Sequence, residues 1–586
     1  MKTINRLLIV PALLIALMLA GCTPKLRVGE LQAESQSVEL GSDASVRAEI
    51  NMGAGDLKVT GGAEKLLDAD FTYNVAELKP EVKFTKGTLV IWEPGKEGRI
   101  DWQGIGNFRN EWSLRLNDEI PMDLRVELGA GSGNLKLAGL SLTNLDVRLG
   151  AGEYMIDLSG NWANDLNVTI NTGAANTTLK LPSSVGVRVE VDPGPNVINT
   201  TGLTQDGKVY TNVAYGKSAV TMQVHMEPGI GQINLNVEEV DEHAQAQVTL
   251  QKLLDQQVKQ QNILGIVMSA RLADGTVIWG TSGSTNPSGE KKWTADTPSL
   301  IASVTKNFTA VVVMQLVEEG KLSLDDTVDT WFPEQPNGDK ITVRMLLSHT
   351  SGLAGSESTW GTDLDKWSRD WTPEELIAEA NKAGAVGEPG SKVAHYSNTN
   401  YIMLGRIIEK VTGNSWEHEV ETRIIQPLGL ENTTFMKKDL WNAGVVSGYK
   451  RTSDGYLNLL EDPWYSHVSV STAWAAGGIV SSASDLVTFA SAFFDGKLVS
   501  KETLAVMTQP LATGDGRTWA LGGGVLELNG RTAFGMGGDT TGYHAFFIGI
   551  PDTKLIVAAL INTNEGEVIS PSMAFLENIS QASESK

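Results

Sequence analysis

The chain has 586 residues, 41% of them hydrophobic and 20% charged, with one cysteine and a formal net charge of -23 at pH 7. That length is too great for one ordinary core and predicts two or three domains. The acidic balance, with no block of Lys and Arg, excludes nucleic acid as a partner because phosphate binding needs clustered cations, and a lone cysteine excludes an intramolecular disulfide.

Lys2 and Arg6 precede an uncharged, mostly apolar run over 7–20. The run is too short to cross a bilayer as a stable helix and has the form of a secretory signal. Leu19-Ala20-Gly21-Cys22 follows. This stretch resembles the bacterial lipoprotein signal, which implies loss of residues 1–21 and lipidation of Cys22, with two or three acyl chains on one residue giving stable anchoring. The expected location is outside the cytoplasm, lipid-anchored to a bacterial membrane, with 22–35 as a linker.

From 36 to 235 the chain is rich in Gly, Asn, Thr and Val without a helical period. Residues 124–128, 145–149, 166–170 and 187–191 each alternate apolar with polar and start 21 residues apart, which marks a structural repeat. Gly129-Ala130-Gly131, Gly150-Ala151-Gly152 and Gly173-Ala174 follow the first three, and short segments such as 134–137 and 154–158 come next. Each repeat reads as two strands around a glycine turn. Val46 to Ile50 with Gly53-Ala54-Gly55 is an earlier copy, out of register in sequence. Stacking that buries Leu and Val predicts an all-β, solenoid-like N-terminal domain. The arrangement resembles the toast-rack type domains of bacterial envelope proteins. Two roles stay open for it: a platform for a ligand or for cell-wall components, or a spacer holding the next domain off the membrane.

Residues 236–262 are rich in Gln and Glu, with Val248, Leu250, Leu253 and Leu254 predicting a helix at a domain boundary. Strands over 263–273 and 277–280 are joined by Asp274-Gly275, a strong hairpin signal. Phe308, Val311, Val312, Leu316 and Val317 then mark a buried helix closed by Gly320, with Ser303 and Lys306 on one side of its first turn. A buried lysine is costly unless it loses its proton or finds a partner. A neutral amine beside a serine hydroxyl can take that hydroxyl's proton, so the pair reads as nucleophile and base. Spacing alone decides nothing, since Ser288 and Lys291 repeat it in a loop.

Serine acyl hydrolases with Ser-x-x-Lys carry a Tyr-x-Asn motif roughly a hundred residues later. Of Tyr210-Thr-Asn212, Tyr396-Ser-Asn398 and Tyr456-Leu-Asn458, only the second has that placement. Further phrases stand in order: 346–353 (LLSHTSGL), 388–398 (EPGSKVAHYSN), 424–435 (IIQPLGLENTTF) and 475–486 (AAGGIVSSASDL). On these motifs residues 244–575 resemble the class C β-lactamase and D-alanyl-D-alanine carboxypeptidase superfamily, including its esterases, with 576–586 left as a polar tail.

The resemblance implies an α+β domain, an antiparallel sheet flanked by helices with a helical subdomain, and a cleft between them. It implies Ser303 as nucleophile, Lys306 and Tyr396 sharing proton transfer, and Asn398 fixing the substrate or Lys306. A charged amine beside Tyr396 would favour its phenolate. A third motif, Lys-Thr-Gly or His-x-Gly, is expected on a late strand, where the chain has Met536-Gly537-Gly538-Asp539. Met536 thus stands where the family has a cation and offers no donor to a carboxylate, which weighs against β-lactam and D-Ala-D-Ala substrates. Gly537 and Gly538 permit close backbone approach, and the family pattern places the oxyanion hole at the amides of Ser303 and Asp539.

His349 reads as a buried structural histidine, and His395 and His544 as cleft lining without a placed acidic partner. Seven histidines and one cysteine show no zinc spacing, so neither metal nor cofactor is expected. No Gly-x-Ser-x-Gly elbow occurs, which removes the α/β-hydrolase alternative. The sequence reads as a membrane-anchored serine hydrolase of small ester, amide or peptide substrates. The rival reading is a catalytically impaired binding or sensor lipoprotein of the envelope.

Overall fold

The computed structural model describes residues 25–584, except 27, 42, 95–98, 101–107, 161, 240–241, 437–443 and 463–464. Cys22 and the signal segment lie outside the described residues. The chain divides into two compact units, one up to Asp241 and one from Glu242.

The first unit is built on long strands: β1 (Val46–Thr60), β2 (Met122–Lys136), β3 (Leu142–Asp157), β4 (Leu166–Pro182), β5 (Gly186–Val191) and β6 (Thr221–Glu238). β1, β2, β3, β4 and β6 run parallel side by side, and β5 joins at β6. Their alternating Leu, Val, Ile and Met side chains point inward, and Ala48, Leu124, Leu145 and Leu166 are all buried in one core. The outward faces carry ion pairs such as Arg148 with Asp146 and Glu127.

The repeats differ from the expected pair of strands in one respect. Each is a single bent strand that runs straight through its glycine triplet, and β2, β3 and β4 are 15, 16 and 17 residues long. At the bends Gly55, Gly131, Gly152 and Gly231 have φ of 149°, 131°, 155° and 148°, which favour glycine. The triplets also stack backbone on backbone. A Cβ on Gly129 would lie 2.4 Å from Gly53 O, one on Gly150 1.7 Å from Gly129 O, and one on Gly229 2.2 Å from Gly173 O. The early copy at Val46 is thereby in spatial register, with Gly55 opposite Gly131.

The fourth sequence repeat, 187–191, does not lie on the third. β6 takes that place, with Leu166 opposite Met222, and Pro228-Gly229-Ile230-Gly231 supplies its bend. β5 pairs on the far side of β6, with Val187 opposite Met222. The unit also begins before residue 36, because strand Gln32–Val38 pairs antiparallel with Leu67–Tyr73 inside the expected linker.

In the second unit, helix α1 (Glu242–Gln261) precedes the hairpin β7 (Gly265–Arg271) and β8 (Val277–Gly283), turned at Gly275 with φ of 95°. Helices α2 (Thr305–Glu318), α3 (Asn398–Thr412) and α4 (Ala483–Phe494) follow. The chain then forms β9 (Ala512–Gly514), β10 (Arg517–Trp519), β11 (Gly524–Leu528), β12 (Arg531–Thr540), β13 (Tyr543–Ile550) and β14 (Leu555–Ile561), and closes with α5 (Ile569–Glu584). The antiparallel order is β8-β7-β14-β13-β12-β11-β10-β9. One face of the sheet packs on α1 and α5 through Leu250, Leu254, Phe546 and Phe575. The other packs on α4, with α2 and α3 completing the same core, where Phe308 stacks on Phe489 at 4.0 Å. The expected polar tail from 576 is the body of α5, because Leu576 and Ser580 are buried in the unit.

The glycine columns make a direct prediction. Gly150→Ala should lower the stability of the first unit by roughly 1–3 kcal/mol or more through overpacking. Gly139→Ala, whose Cβ meets nothing within 4 Å, should change it little. Denaturant unfolding of the two variants measures the difference.

Candidate active site

Ser303 lies in a 3-10 turn, Ala302–Val304, that runs directly into α2. Ala302 has φ of 43°, a left-handed backbone that is strained for a residue with a Cβ and that sharpens the turn under Ser303. Lys306 follows in the first turn of α2 and is 0% exposed. Val311, Val312 and Phe308 anchor the helix in the core, so the lysine cannot swing out without lifting that helix.

Two distant segments close on this turn. Tyr396, just before α3, places Oη 2.6 Å from Ser303 Oγ. Asn398, the first residue of α3, accepts from Lys306 Nζ through Oδ1 at 2.9 Å. Lys306 Nζ also donates to Ala476 O at 2.7 Å and to Ser303 Oγ at 3.0 Å. An ammonium has three protons for these three acceptors. Once neutral it keeps two, for Asn398 and Ala476, and its lone pair faces the serine.

The electrostatics favour that neutral form. Burial pushes the Lys306 amine down to about 7, against the pull of Glu357, whose negative charge favours the ammonium. Burial pushes the Tyr396 phenol in the opposite direction, well above its ordinary value. This corrects the sequence expectation of a phenolate: the phenol keeps its proton, and the amine is the group able to accept one.

β12 brings the glycines. A Cβ on Gly538 would lie 2.1 Å from Ile301 O and 2.9 Å from Ser303 N, so only glycine lets the strand run against the nucleophile's turn. Gly537 sits between Gly538 and Met536 on the opposite side of the strand, where a Cβ would approach Phe546 and Ile569. Met536, expected among substrate contacts, is 4% exposed and belongs to the hydrophobic core. Asp539 has an exposed side chain whose Oδ1 lies 2.6 Å from His544 Nδ1. His544 therefore does have the acidic partner that the sequence did not reveal; the two residues face each other across β12 and β13.

Sequence reading also missed Glu357, on the short turn Ser356–Thr359, whose Oε1 accepts from Asn398 Nδ2 at 3.2 Å. No motif announces it. His395 is half-buried, and its amide donates to His349 O at 2.8 Å. Among the described residues, one group has side chains disposed as metal ligands, Glu190, Asp192 and His225 in the first unit. Lys208 already pairs with Glu190 and Asp192, and Arg188 with Glu190, so these carboxylates are neutralised by fixed cations.

Comparison with known proteins gives two family matches. Residues 250–578 match the Beta-lactamase model, and residues 27–180 match the N-terminal domain of toast_rack. Penicillin-binding protein 4 of Amycolatopsis lactamdurans is 29% identical over 296 residues, 46% of this chain and 73% of that protein. Teichoic acid D-alanine hydrolase of Staphylococcus aureus is 29% identical over 164 residues, 28% of this chain and 39% of that protein. The chain thus spans only part of the length of these curated relatives. Among solved structures, D-amino acid amidase of Ochrobactrum anthropi SV3 superposes with a TM-score of 0.52 at 25% identity, covering 58% of this chain and 99% of that one.

The rate of covalent labelling of Ser303 by a fluorophosphonate should rise with pH as Lys306 loses its proton, half-maximal near about 7. Lys306→Met should abolish both the labelling and its pH dependence. For folding the sign follows from proton binding, which is weaker in the folded chain than in the unfolded one. Lys306 therefore costs stability below about 7, and that cost is relieved as pH climbs towards the ordinary lysine value of 10.5.

Proposed function

This chain belongs to the Beta-lactamase family, and on that footing we propose that it is a serine hydrolase working through an acyl-enzyme on aminoacyl esters or amides that carry a free ammonium group. The observation that carries the reading is the convergence of Ser303 Oγ, Lys306 Nζ and Tyr396 Oη within 3.0 Å of the serine oxygen. Ser303 Oγ attacks the carbonyl carbon as its proton passes to the neutral amine of Lys306. The amides of Ser303 and Asp539 hold the oxyanion in the family pattern. As the tetrahedral adduct collapses, Tyr396 gives its proton to the leaving oxygen or nitrogen and is refilled from Lys306. Water enters by the same relay in reverse and releases the acid.

The substrate class follows from charge. Glu357 stands beside Asn398 and acts on Tyr396 as a negative charge, as does Asp539 from the other face of β12, with Arg517 opposing them. Met536 adds no cation. A carboxylate placed beside Asn398 meets repulsion from Glu357, whereas an ammonium finds a partner there. Two relatives bear names that fit, an amidase of D-amino acids and a hydrolase of teichoic acid D-alanine; D-alanyl esters and amino acid amides both present a free amine.

We place the chain outside the cytoplasm, held to the membrane by lipid on Cys22, with its glycine-bent first unit a stacked, solenoid-like spacer or cell-wall platform. The lipoprotein reading rests on the sequence around Cys22 alone.

Two measurements test the assignment. Incubation with an activated ester should add the acyl mass to the Ser303 peptide; a chain that takes no adduct is instead the binding or sensor lipoprotein of the rival reading. Glu357→Gln should lower kcat/KM for D-alanine amide or ester by about 10- to 100-fold, the worth of one charge-assisted hydrogen bond. The N-acetylated substrate, which has no ammonium, should be nearly unaffected, so equal losses on both would remove Glu357 from substrate recognition.

A further inference from the structure

His349, in the LLSHTSGL phrase, is 1% exposed, and its backbone takes φ of 58°, a left-handed conformation that costs a residue with a Cβ. Strain of this kind persists where the surroundings hold it. The surroundings here are the residues on both sides of Tyr396. His349 O accepts from His395 N at 2.8 Å, and His349 Nδ1 lies 3.2 Å from Ser397 N. An amide N–H can only donate, so Nδ1 is the unprotonated nitrogen of a neutral ring. Asn400 Nδ2 points at the same nitrogen at 3.0 Å, and its Oδ1 is already taken by Ser351 Oγ. The imidazole then packs on the phenol itself, with ring centroids 4.5 Å apart, while Trp519 closes on both rings at 4.9 and 5.4 Å.

We infer that His349 is a positioning residue for the proton relay: its carbonyl and its imidazole clamp 395–397 from both sides and its ring backs the phenol, so that Tyr396 Oη is fixed on Ser303 Oγ. It touches no reacting atom. The left-handed backbone is what makes both grips available to one residue, because carbonyl and ring must face the same neighbouring segment. Burial holds the imidazole well below its ordinary pKa, with the charge of Lys306 acting the same way, which agrees with an acceptor nitrogen that never carries a proton. This inference rests on the hydrolase reading for its kinetic consequences, but its geometric consequence stands apart from activity.

The experiment uses the full chain with His349→Leu, which keeps bulk and removes the acceptor, His349→Asn, whose side-chain oxygen can accept near the Nδ1 position, and Tyr396→Phe alone and combined with His349→Leu. On D-alanine amide, His349→Leu should lower kcat about a hundredfold with KM little changed, the scale set by a misplacement of about 1 Å. His349→Asn should recover most of that loss. In the Tyr396→Phe background His349→Leu should add almost nothing, because a residue that acts only through the phenol has nothing left to position. Additive losses in the double variant, or His349→Asn as impaired as His349→Leu, would overturn the inference. Crystal structures decide it even if the parent chain proves inactive: Oη should leave hydrogen-bond reach of Ser303 Oγ in His349→Leu and stay in His349→Asn. An unmoved phenol in the leucine variant would sink the clamp whatever the activity, whereas a parent chain that takes no acyl group would sink only the hydrolase reading.

Discussion

The second unit is organised around one unfavourable act, the burial of the Lys306 amine. A lysine with no exposed surface must shed its charge or be fully partnered, and here the three acceptors around Nζ permit either state. These acceptors come from the turn before α2, the start of α3 and the segment before α4, so the amine is a nail driven through three otherwise separate pieces of chain. Glu357 opposes the loss of the proton and burial enforces it, and the balance falls near neutrality, where a base is most useful. The phenol next to it is pushed in the other direction by the same lack of water. Burial thus sorts the two proton carriers into acceptor and donor, as the larger effect on both groups.

How much of this could be read in the sequence depends on whether the information was local. Ser303, Lys306, Tyr396 and Asn398 belong to short motifs whose spacing carries chemistry, and the structure brings all four together. Glu357 reaches the site from a short turn with no pattern of its own, and Asp539 finds His544 only because β12 and β13 fix their register. His349 could be read as buried and structural, but not as a clamp, because its function lies in a left-handed φ that no residue type announces. In the first unit the 21-residue period picked out β2, β3 and β4 as stacked strands, but it holds in register only from β2 to β3, since Leu145 lies opposite Leu124 and opposite Val168, and 187–191 stacks elsewhere. Nothing in the alternation of 187–191 distinguishes a strand stacked on β4 from one stacked on its neighbour, and β6, which takes the place, carries Pro228 where the others have Met52, Leu128, Leu149 and Thr172.

Both units solve a problem of close backbone approach with glycine, for different ends. In the first, the columns through Gly53, Gly129 and Gly150 allow bent strands to nest at distances that a single methyl would prevent. The benefit is structural: every rung bends at the same place, so the Leu and Val faces on both sides of the bend stay in one core. In the second, Gly538 allows β12 to run against the backbone of the turn that carries Ser303.

That same strand fixes which of its side chains share a face with the serine. Side chains alternate along β12, so Met536 and Gly538 face the helices and the serine, while Gly537 and Asp539 face α5. His544, opposite Asp539 on β13, shares that second face. It therefore cannot take over the role of the cation missing at Met536, although it lies only a few residues away in the sheet and has a carboxylate partner. Moving Asp539 into the place of Gly538 would bring a charge to the face of the serine, but it would also drive a side chain into the turn, where a Cβ at 538 already lies 2.1 Å from Ile301 O. The close approach needed at the nucleophile and the thioether at Met536 are consequently one constraint: the register that lets the strand touch the turn of Ser303 is the register that puts Met536 on the same face and leaves Glu357 as the carboxylate beside Asn398.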